Sequence, residues 1–441
     1  MSGFIGNGPS GVGRFSRFQF TAIAGQTVFG GTDKNGLTLR YTPGQVEGIL
    51  NGSWLAPDDI TATDGSTITI ARPCSAGDTF CVFAPTSFGV ADSVSYLSQQ
   101  QLTAAQQAVA RANIGVTKKN YIVNGGMMVS QENGAVAGSA SGYYPVDQWS
   151  VISSIGGFSV AQVASPTPGG SPNRIRFTVT TADAAPTSKA VLLSQNIEGN
   201  RVADLRSGSA SAKTVVVQFG CRGPAGTYGV TIRNGGSNRS YVSEITITAA
   251  EANTDVVKSV VVPLDTTGTW LTDTGIGMSV SVTLMGGSGF LAVPNTWTAS
   301  NVIATANQFN FMGTVGNVFE LFDVGLYEGT SAPAFQLSDL ASELAICQRY
   351  YWQESQTSAI YNEGTSTGSG SNALAATLRY PVPMRATPTV TSPTWASTGI
   401  AAPVATYVWT NGCVFQGVSN SGSGSRMYMQ NTSTIKLNAR M

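Results

Sequence analysis

Few residues in this chain have a type and spacing suited to catalysis. The 441-residue sequence contains no histidine. That removes Ser-His-Asp and Cys-His activation of a nucleophile, which needs an imidazole to take the proton. It also removes nearly every catalytic zinc arrangement, because those use imidazole ligands. What survives is chemistry run by carboxylates, as in glycoside hydrolysis, where two acids face each other across a cleft. Asp58, Asp59, Asp147, Glu198, Asp204, Glu320 and Asp323 are candidates by type. No two of them form a recognisable pair, and single acids beside turns serve as caps or solvated surface. No catalytic residue, metal site or cofactor is assigned.

The other chemical signals are weaker still. Cys74, Cys81, Cys221, Cys347 and Cys413 are scattered, odd in number and without metal-ligand spacing, which predicts buried free thiols. "GNGPSG" at Gly6–Gly11 matches the dinucleotide fingerprint by letters. It follows no strand and opens no helix, so the match fails its structural context. The sequons at Asn51, Asn238 and Asn431 carry meaning only on a secretory route. The first residues, "MSGFIGNGPSGVGRFSRF", lack the apolar segment of a secretory signal.

Binding chemistry has better candidates. A sugar ring packs its C–H face on a flat aromatic ring and hydrogen-bonds to amides and hydroxyls. Trp297, Tyr361, Trp395, Tyr407, Trp409 and Tyr428 are the candidate glycan-binding residues, several beside Gly, Thr or Asn. Trp409, in "TYVWTNGC", is the best placed of them. The bland alternative for any one of these rings is the core.

These residues must be held by β-structure. Only 11% of the chain is charged, against a globular norm of roughly 25%. Glycine is abundant at 51 residues, and 24 basic residues balance 24 acidic ones. The pattern predicts short strands, many turns and a neutral polar surface. It shows no basic stripe for nucleic acid and no apolar run near the ~20 residues that span a bilayer. Residues 1–85 read as an extended arm followed by a small β-domain of about six strands. Asn51-Gly52 and Asp64-Gly65 mark hairpins there. Residues 119–335 hold about ten strand candidates from "QWSVIS" to "NVFELFDVGLYEG", which predicts a jelly-roll-like two-sheet sandwich. Residues 336–441 start with a helical pattern, "SDLASELAICQRYYW", in which Ser338 is a possible cap. They continue as a second β region, giving a small α+β tip.

Between arm and sandwich, in the linker 86–118, lies "LTAAQQAVARANIGV". Thr103 and Gln106 form a T-x-x-Q capping box. Leu102, Ala105, Val109, Ala112 and Val116 follow a 3-4-3-4 spacing, the seam of a heptad pattern. A helix this short is marginal alone. Its partners are either identical helices of other copies or the chain's own sandwich. Arg14, Phe15, Arg17 and Phe18 in the arm are candidates for anchoring to another protein, or for packing on the first β-domain.

Several segments resemble a known family. Residues 17–83, with "VEGILNGSWLAPDDITATDGSTITI" and "SAGD", resemble the N-terminal attachment domain of bacteriophage tail fibres. "LTAAQQAVARANIG" is similar to the segment that follows that domain in such fibres. "NYIVNGGMMVSQENG…GYYPVDQW" resembles the start of a sandwich akin to carbohydrate-binding modules. "ELAICQRYYW" with "PVPMRATPTV" resembles the entry to a C-terminal fibre domain. The resemblance implies an elongated homotrimer located in the virion tail after assembly in a host cytoplasm. Its N-terminus would dock on a tail or baseplate protein, and its distal part would bind a bacterial surface glycan. No catalytic residue carries over, so the expectation is a binding protein, not an enzyme. A glycan-degrading tailspike using carboxylates and a structural baseplate or collar component are the alternatives.

Overall fold

The computed structural model describes residues 15–85, 118–183 and 187–441, with Thr103, Gln106, Val109 and Ala110 between the first two spans. Contacts divide the chain into two compact units, Met1–Gln101 and Leu102–Met441.

In the first unit, alternating residues build two small antiparallel sheets. One has the order β1 (Phe15–Thr21), β7 (Thr79–Pro85), β3 (Glu47–Leu50), β4 (Ser53–Trp54). The other has the order β2 (Val28–Gly30), β6 (Thr67–Ile70), β5 (Ile60–Thr61). Phe18, Phe20, Phe29, Ile68, Ile70, Phe80 and Val82 form the core between them. Phe29 and Phe80 lie 4.6 Å apart by ring centroids. Asn51 (φ 49°) and Gly52 (φ 88°) give the β3–β4 turn two left-handed residues, the geometry that matches strand twist in a two-residue hairpin. The Asn51 side chain then bonds Asp78, at 2.8 Å, and the Thr79 amide, at 2.9 Å, tying that turn to the start of β7.

Asp64 accepts from the Thr67 hydroxyl and from the Ser66 and Thr67 amides, and these donors hold its carboxyl well below the usual range. Asp78 is lowered by the Asn51 side chain and the Ser75 amide. Both folded pKa values are depressed, so the stability they contribute is fully present above the ordinary aspartate pKa of about 3.9. It is lost as pH falls through the depressed values. Trp54 fluorescence of a fragment carrying Trp54 as its sole tryptophan, residues 1–101, is expected to show an acid transition below pH 4 that Asp64→Asn and Asp78→Asn largely remove.

In the linker, the capping box forms. The Thr103 amide donates to Gln106 Oε1 at 2.9 Å, and the Gln106 amide donates to Thr103 Oγ1 at 3.3 Å. Gln106, Val109 and Ala110 are helical, and Val109 is exposed. Leu102, Ala105, Ala112 and Val116 lie outside the described residues, as does Arg14.

The second unit holds a two-sheet antiparallel sandwich. The five-stranded sheet has the order β15 (Val256–Pro263), β12 (Thr214–Arg222), β18 (Val318–Glu328), β10 (Asn173–Val179), β9 (Phe158–Ala164). The six-stranded sheet has the order β17 (Trp297–Thr298), β14 (Ser240–Ile247), β13 (Gly226–Arg233), β16 (Ile276–Gly286), β11 (Ala190–Glu198), β8 (Ser150–Ser153). Val215, Val217, Phe219 and Phe319 from one sheet meet Val191, Leu193, Tyr228, Val230 and Val280 from the other in one core. Tyr228 packs across the sheets on Phe319 at 5.2 Å. Each such side chain, fully buried, contributes about 1.5–3 kcal/mol. The fold is mainly β, as the sequence predicts.

The remaining strands form three small sheets. They are β19 (Tyr351–Glu354), β27 (Ile435–Asn438), β22 (Thr389–Thr391); β20 (Tyr361–Thr365), β26 (Arg426–Asn431), β23 (Trp395–Thr398); and β21 (Ala373–Arg379), β25 (Gly412–Val418), β24 (Val404–Val408). Ile360, Leu374, Met384, Cys413, Phe415, Met427, Met429 and Leu437 make their separate core. The helix Leu340–Gln348 precedes them. Its cap is Asp339, which accepts from the Ser342 amide at 3.0 Å, and not Ser338. Leu344, Ile346 and Cys347 seat the helix on Val123, Met128 and Val129.

Polar bonds also join this C-terminal region to the sandwich. Glu198 accepts from Arg349 at 2.6 and 2.9 Å and from the Tyr350 hydroxyl at 3.0 Å. Gln131 and Gln353 exchange bonds with the Tyr351 and Gln131 carbonyls. Arg440 reaches Glu132. All five cysteines are buried free thiols, and burial pushes Cys221 up to about 12.

Candidate functional site

The candidate glycan-binding aromatics separate into three settings. Trp297 belongs to the sandwich rim. Its Nε1 donates to the Pro263 carbonyl at 2.8 Å, and Trp270 and Tyr241 pack on it at 5.5 and 5.3 Å. Trp395 is half-buried against Phe415, with its Nε1 on Ser392. These two rings are held in packing.

Tyr361 and Tyr428 lie on the outer face of the β20–β26–β23 sheet. Glu363 pairs in register with Tyr428, and Tyr361 with Gln430. The Tyr361 hydroxyl donates to Glu363 at 2.7 Å, and Arg426 pairs with the same carboxylate at 2.9 Å while lying over the Tyr428 ring. The Tyr361 hydroxyl and then Arg426 hold Glu363 below the usual carboxylate range. This face offers a hydroxyl, a carboxylate, a guanidinium and an amide around two rings.

Tyr407 and Trp409 form the most open pair. β24 is an edge strand, and a bulge between Ala405 and Tyr407 shifts its register against β25. The rings lie 6.2 Å apart with planes 11° from parallel, and the residues are 58% and 48% exposed. Their hairpin is pinned from behind. The Trp409 amide donates to the Gly412 carbonyl at 2.8 Å, and the Tyr380 and Met384 amides donate to the Asn411 and Thr410 carbonyls. Thr410 and Asn411 add polar groups at the tip. Val404 (59%) and Val418 (47%) extend the exposed apolar surface.

Of the carboxylates named as catalytic candidates, Glu198, Glu320, Asp147 and Asp204 are engaged in hydrogen bonds or ion pairs. Glu320 sits between Arg174 and Arg176 at 2.8 and 2.6 Å. Asp147 accepts from Gln131 and is pushed up by burial. Asp204 accepts from the Tyr121 hydroxyl at 2.7 Å and pairs with Lys119. Asp58 and Asp59 sit in the first turn of a short 3-10 helix. Among the described residues no His/Cys/Asp/Glu group is arranged to hold a metal, and no helix is long and apolar enough to cross a membrane.

In the N-terminal unit the structure corrects one docking candidate. Phe18 is 5% exposed and belongs to the core, so it is not available to a partner. The Phe15 backbone pairs with that of Pro85 at the end of the β1–β7 ladder. Arg17 is exposed and lies over the Phe83 ring at 5.5 Å, and Phe83 stacks on Trp54 at 6.0 Å. Trp54 is 62% exposed beside a cavity of about 610 Å³ that Val46, Leu55, Ile60 and Thr61 also line. Sequence reasoning missed Trp54, although a tryptophan directly after an Asn-Gly-Ser turn is a readable signal of an exposed ring.

No protein-family profile matches the chain, and no curated protein matches it. Solved structures do show similarity. The enzymatically active domain of tailspike protein 4 of bacteriophage CBA120 is 12% identical over 48% of this chain and 21% of its own, with a TM-score of 0.27. The carbohydrate-binding module TmCBM61, solved with β-1,4-galactotriose, is 16% identical over 48% of this chain and 99% of its own, with a TM-score of 0.25. The family 11 carbohydrate-binding module of the Clostridium thermocellum cellulase Lic26A-Cel5E is 11% identical over 45% of this chain and 98% of its own, with a TM-score of 0.24.

Proposed function

We propose that this chain is a phage tail fibre that binds a bacterial surface polysaccharide through its C-terminal region and attaches to the virion tail through its N-terminal unit. The observation that carries the binding half is the Tyr407–Trp409 pair. Two large rings are held half-open to solvent on a pinned hairpin, beside Thr410 and Asn411. The half of each ring left in water forgoes burial worth roughly 25 cal/mol per Å² of apolar surface, so a ligand that covers the pair gains that term. A sugar offers both the apolar face and the hydroxyls that this surface fits.

The attachment half rests on the tail-fibre resemblance of residues 17–83 and on the exposed Arg17–Phe83–Trp54 stack as a docking surface. Three parallel copies, joined at residues 102–116, complete the proposal. The protein acts by binding without cleavage. Supporting this, the chain has no histidine, and Glu198 and Glu320 spend their oxygens on arginines.

The test uses the full chain on a microarray of bacterial capsular polysaccharides and lipopolysaccharides, with the mass measured by light scattering. The expected results are binding to at least one polysaccharide, no released oligosaccharide, and three times the 45.7 kDa chain mass. Binding to none overturns the glycan reading. Released oligosaccharide favours the tailspike alternative.

A further inference from the structure

A second pocket lies in the sandwich, away from the aromatic pairs of the C-terminal sheets. It opens on the outer face of the five-stranded sheet and has a volume of about 360 Å³. That volume falls within the roughly 300–1,000 Å³ typical of ligand pockets. Its floor includes Gly220, where the neighbouring Phe322 ring leaves no room for a Cβ. Pro168, Val257 and the segment Ala332–Phe335 form apolar walls. Gln218 and Asp323 supply the polar side chains, and Gln218 Nε2 ties the wall in place through the Pro333 carbonyl at 3.3 Å.

Asp323 is the unusual group. It is 4% exposed, and its φ of 49° lies in the left-handed region, inside a strand. The cause is a bulge, because β12 and β18 shift register between Gln218 and Gly220. Bulges re-aim side chains and recur beside binding sites, and a strained residue in a pocket is a pointer to function. Each carboxylate oxygen has one donor. Thr167 Oγ1 reaches Oδ1 at 2.8 Å, and the Gly169 amide reaches Oδ2 at 2.8 Å. A carboxylate has about four acceptor sites, so both oxygens retain capacity for a ligand. Arg174, the nearby guanidinium, donates to Asp255 and Glu320 instead. Burial pushes Asp323 up, the mark of a carboxylate short of compensating donors.

We propose that this pocket binds one pyranose unit, with adjacent sugar hydroxyls donating to the two oxygens of Asp323 and the apolar ring face against Pro168 and Phe335. The carboxylate selects donors and repels anions, so the ligand is a neutral sugar. This site does not rest on the Tyr407–Trp409 reading, and either can fail without the other.

Saturation-transfer NMR on the full chain, with D-glucose, D-galactose, D-mannose and N-acetyl-D-glucosamine as probes, tests it. At least one sugar is expected to receive saturation. Asp323→Asn keeps the size and tolerates positive φ but removes the charge, and should weaken that sugar at least tenfold. Val257→Trp starts from a 56%-exposed side chain. It should block the mouth with the same loss and an unchanged melting temperature. A Tyr407→Ala/Trp409→Ala chain should retain this binding. If Asp323→Asn does not fold, Val257→Trp decides. No saturation of any probe, or affinity within twofold of the parent in Val257→Trp, overturns the pocket. Loss in Val257→Trp with full affinity in a folded Asp323→Asn overturns the role of the carboxylate.

Discussion

Arg440→Ala is expected to destabilise the Leu102–Met441 unit by about 3 kcal/mol, the low end of the cost of breaking a buried pair. The Arg440 side chain is 6% exposed. Its guanidinium carbon lies 4.0 Å from the ring centroids of both Tyr144, from the sandwich, and Tyr351, from β19. Nη1 pairs with Glu132, while Nε and Nη2 are buried without a hydrogen-bond acceptor. The two rings therefore compensate for the nitrogens that lack an oxygen partner, and a desolvated cation–π contact supplies about 2 kcal/mol. Removing the side chain takes away both ring contacts and leaves Glu132 with Lys436 at 3.9 Å. Arg440→Lys should recover less than half of the loss, because an ammonium does not stack flat between two rings. Denaturant unfolding with circular dichroism measures both variants. Limited proteolysis should show the C-terminal strands opening first. Wild-type stability in Arg440→Ala would mean that the helix Leu340–Gln348 and Glu198 hold this region alone.

The contrast between Arg440 and the strands shows what was legible in the sequence. All ten strand candidates proposed between residues 120 and 335 are strands, because alternation and turn residues are local signals. The two-residue β17 was missed, since two residues carry no period. Asn51-Gly52 was legible because two left-handed residues are needed at that position and few residue types supply them. Of the two readings open for Phe18, docking and packing on the first β-domain, only packing holds. The sequence could not choose, because exposure depends on which face of β1 meets the core, a fact set by pairing with β7 across more than sixty residues. The helix cap moved from Ser338 to Asp339 because either side chain satisfies the local rule. The exposure of Trp409 was legible, because the Thr410, Asn411 and Gly412 that follow it announce a turn, while Tyr407 shares that exposure from the end of the edge strand β24. Trp297 and Trp395 look alike in sequence, but their rings found packing partners far along the chain. Asp323 was noticed only as an acid. Its bulge arises from a register shift between two distant strands, which no local window reports.

Replacing both Tyr407 and Trp409 with alanine is expected to lower polysaccharide affinity by two to three orders of magnitude. Solvent-exposed rings that become covered are the residues most often found as binding hot spots, at about 2 kcal/mol or more each. At 1.4 kcal/mol per factor of ten, about 2 kcal/mol corresponds to roughly a thirtyfold loss for each single variant. Trp409→Ala should cost more than Tyr407→Ala, because the indole is larger and stands at the hairpin tip beside Thr410 and Asn411. The rings lie within one contact distance, so the single losses need not add. Trp409→Phe should retain part of the affinity, since it keeps a flat apolar face. Stability should change little, because both side chains are half in solvent and the hairpin is held by backbone bonds. Binding measured by biolayer interferometry on immobilised polysaccharide, with melting temperature as the folding control, separates the two effects. Full affinity in the double variant would move the glycan contact to the Tyr361–Glu363–Arg426–Tyr428 face, where Arg426→Ala and Tyr428→Ala become the informative changes. That face carries a paired carboxylate and guanidinium at 2.9 Å. Binding there would weaken with added salt, whereas binding on the uncharged Tyr407–Trp409 pair would not.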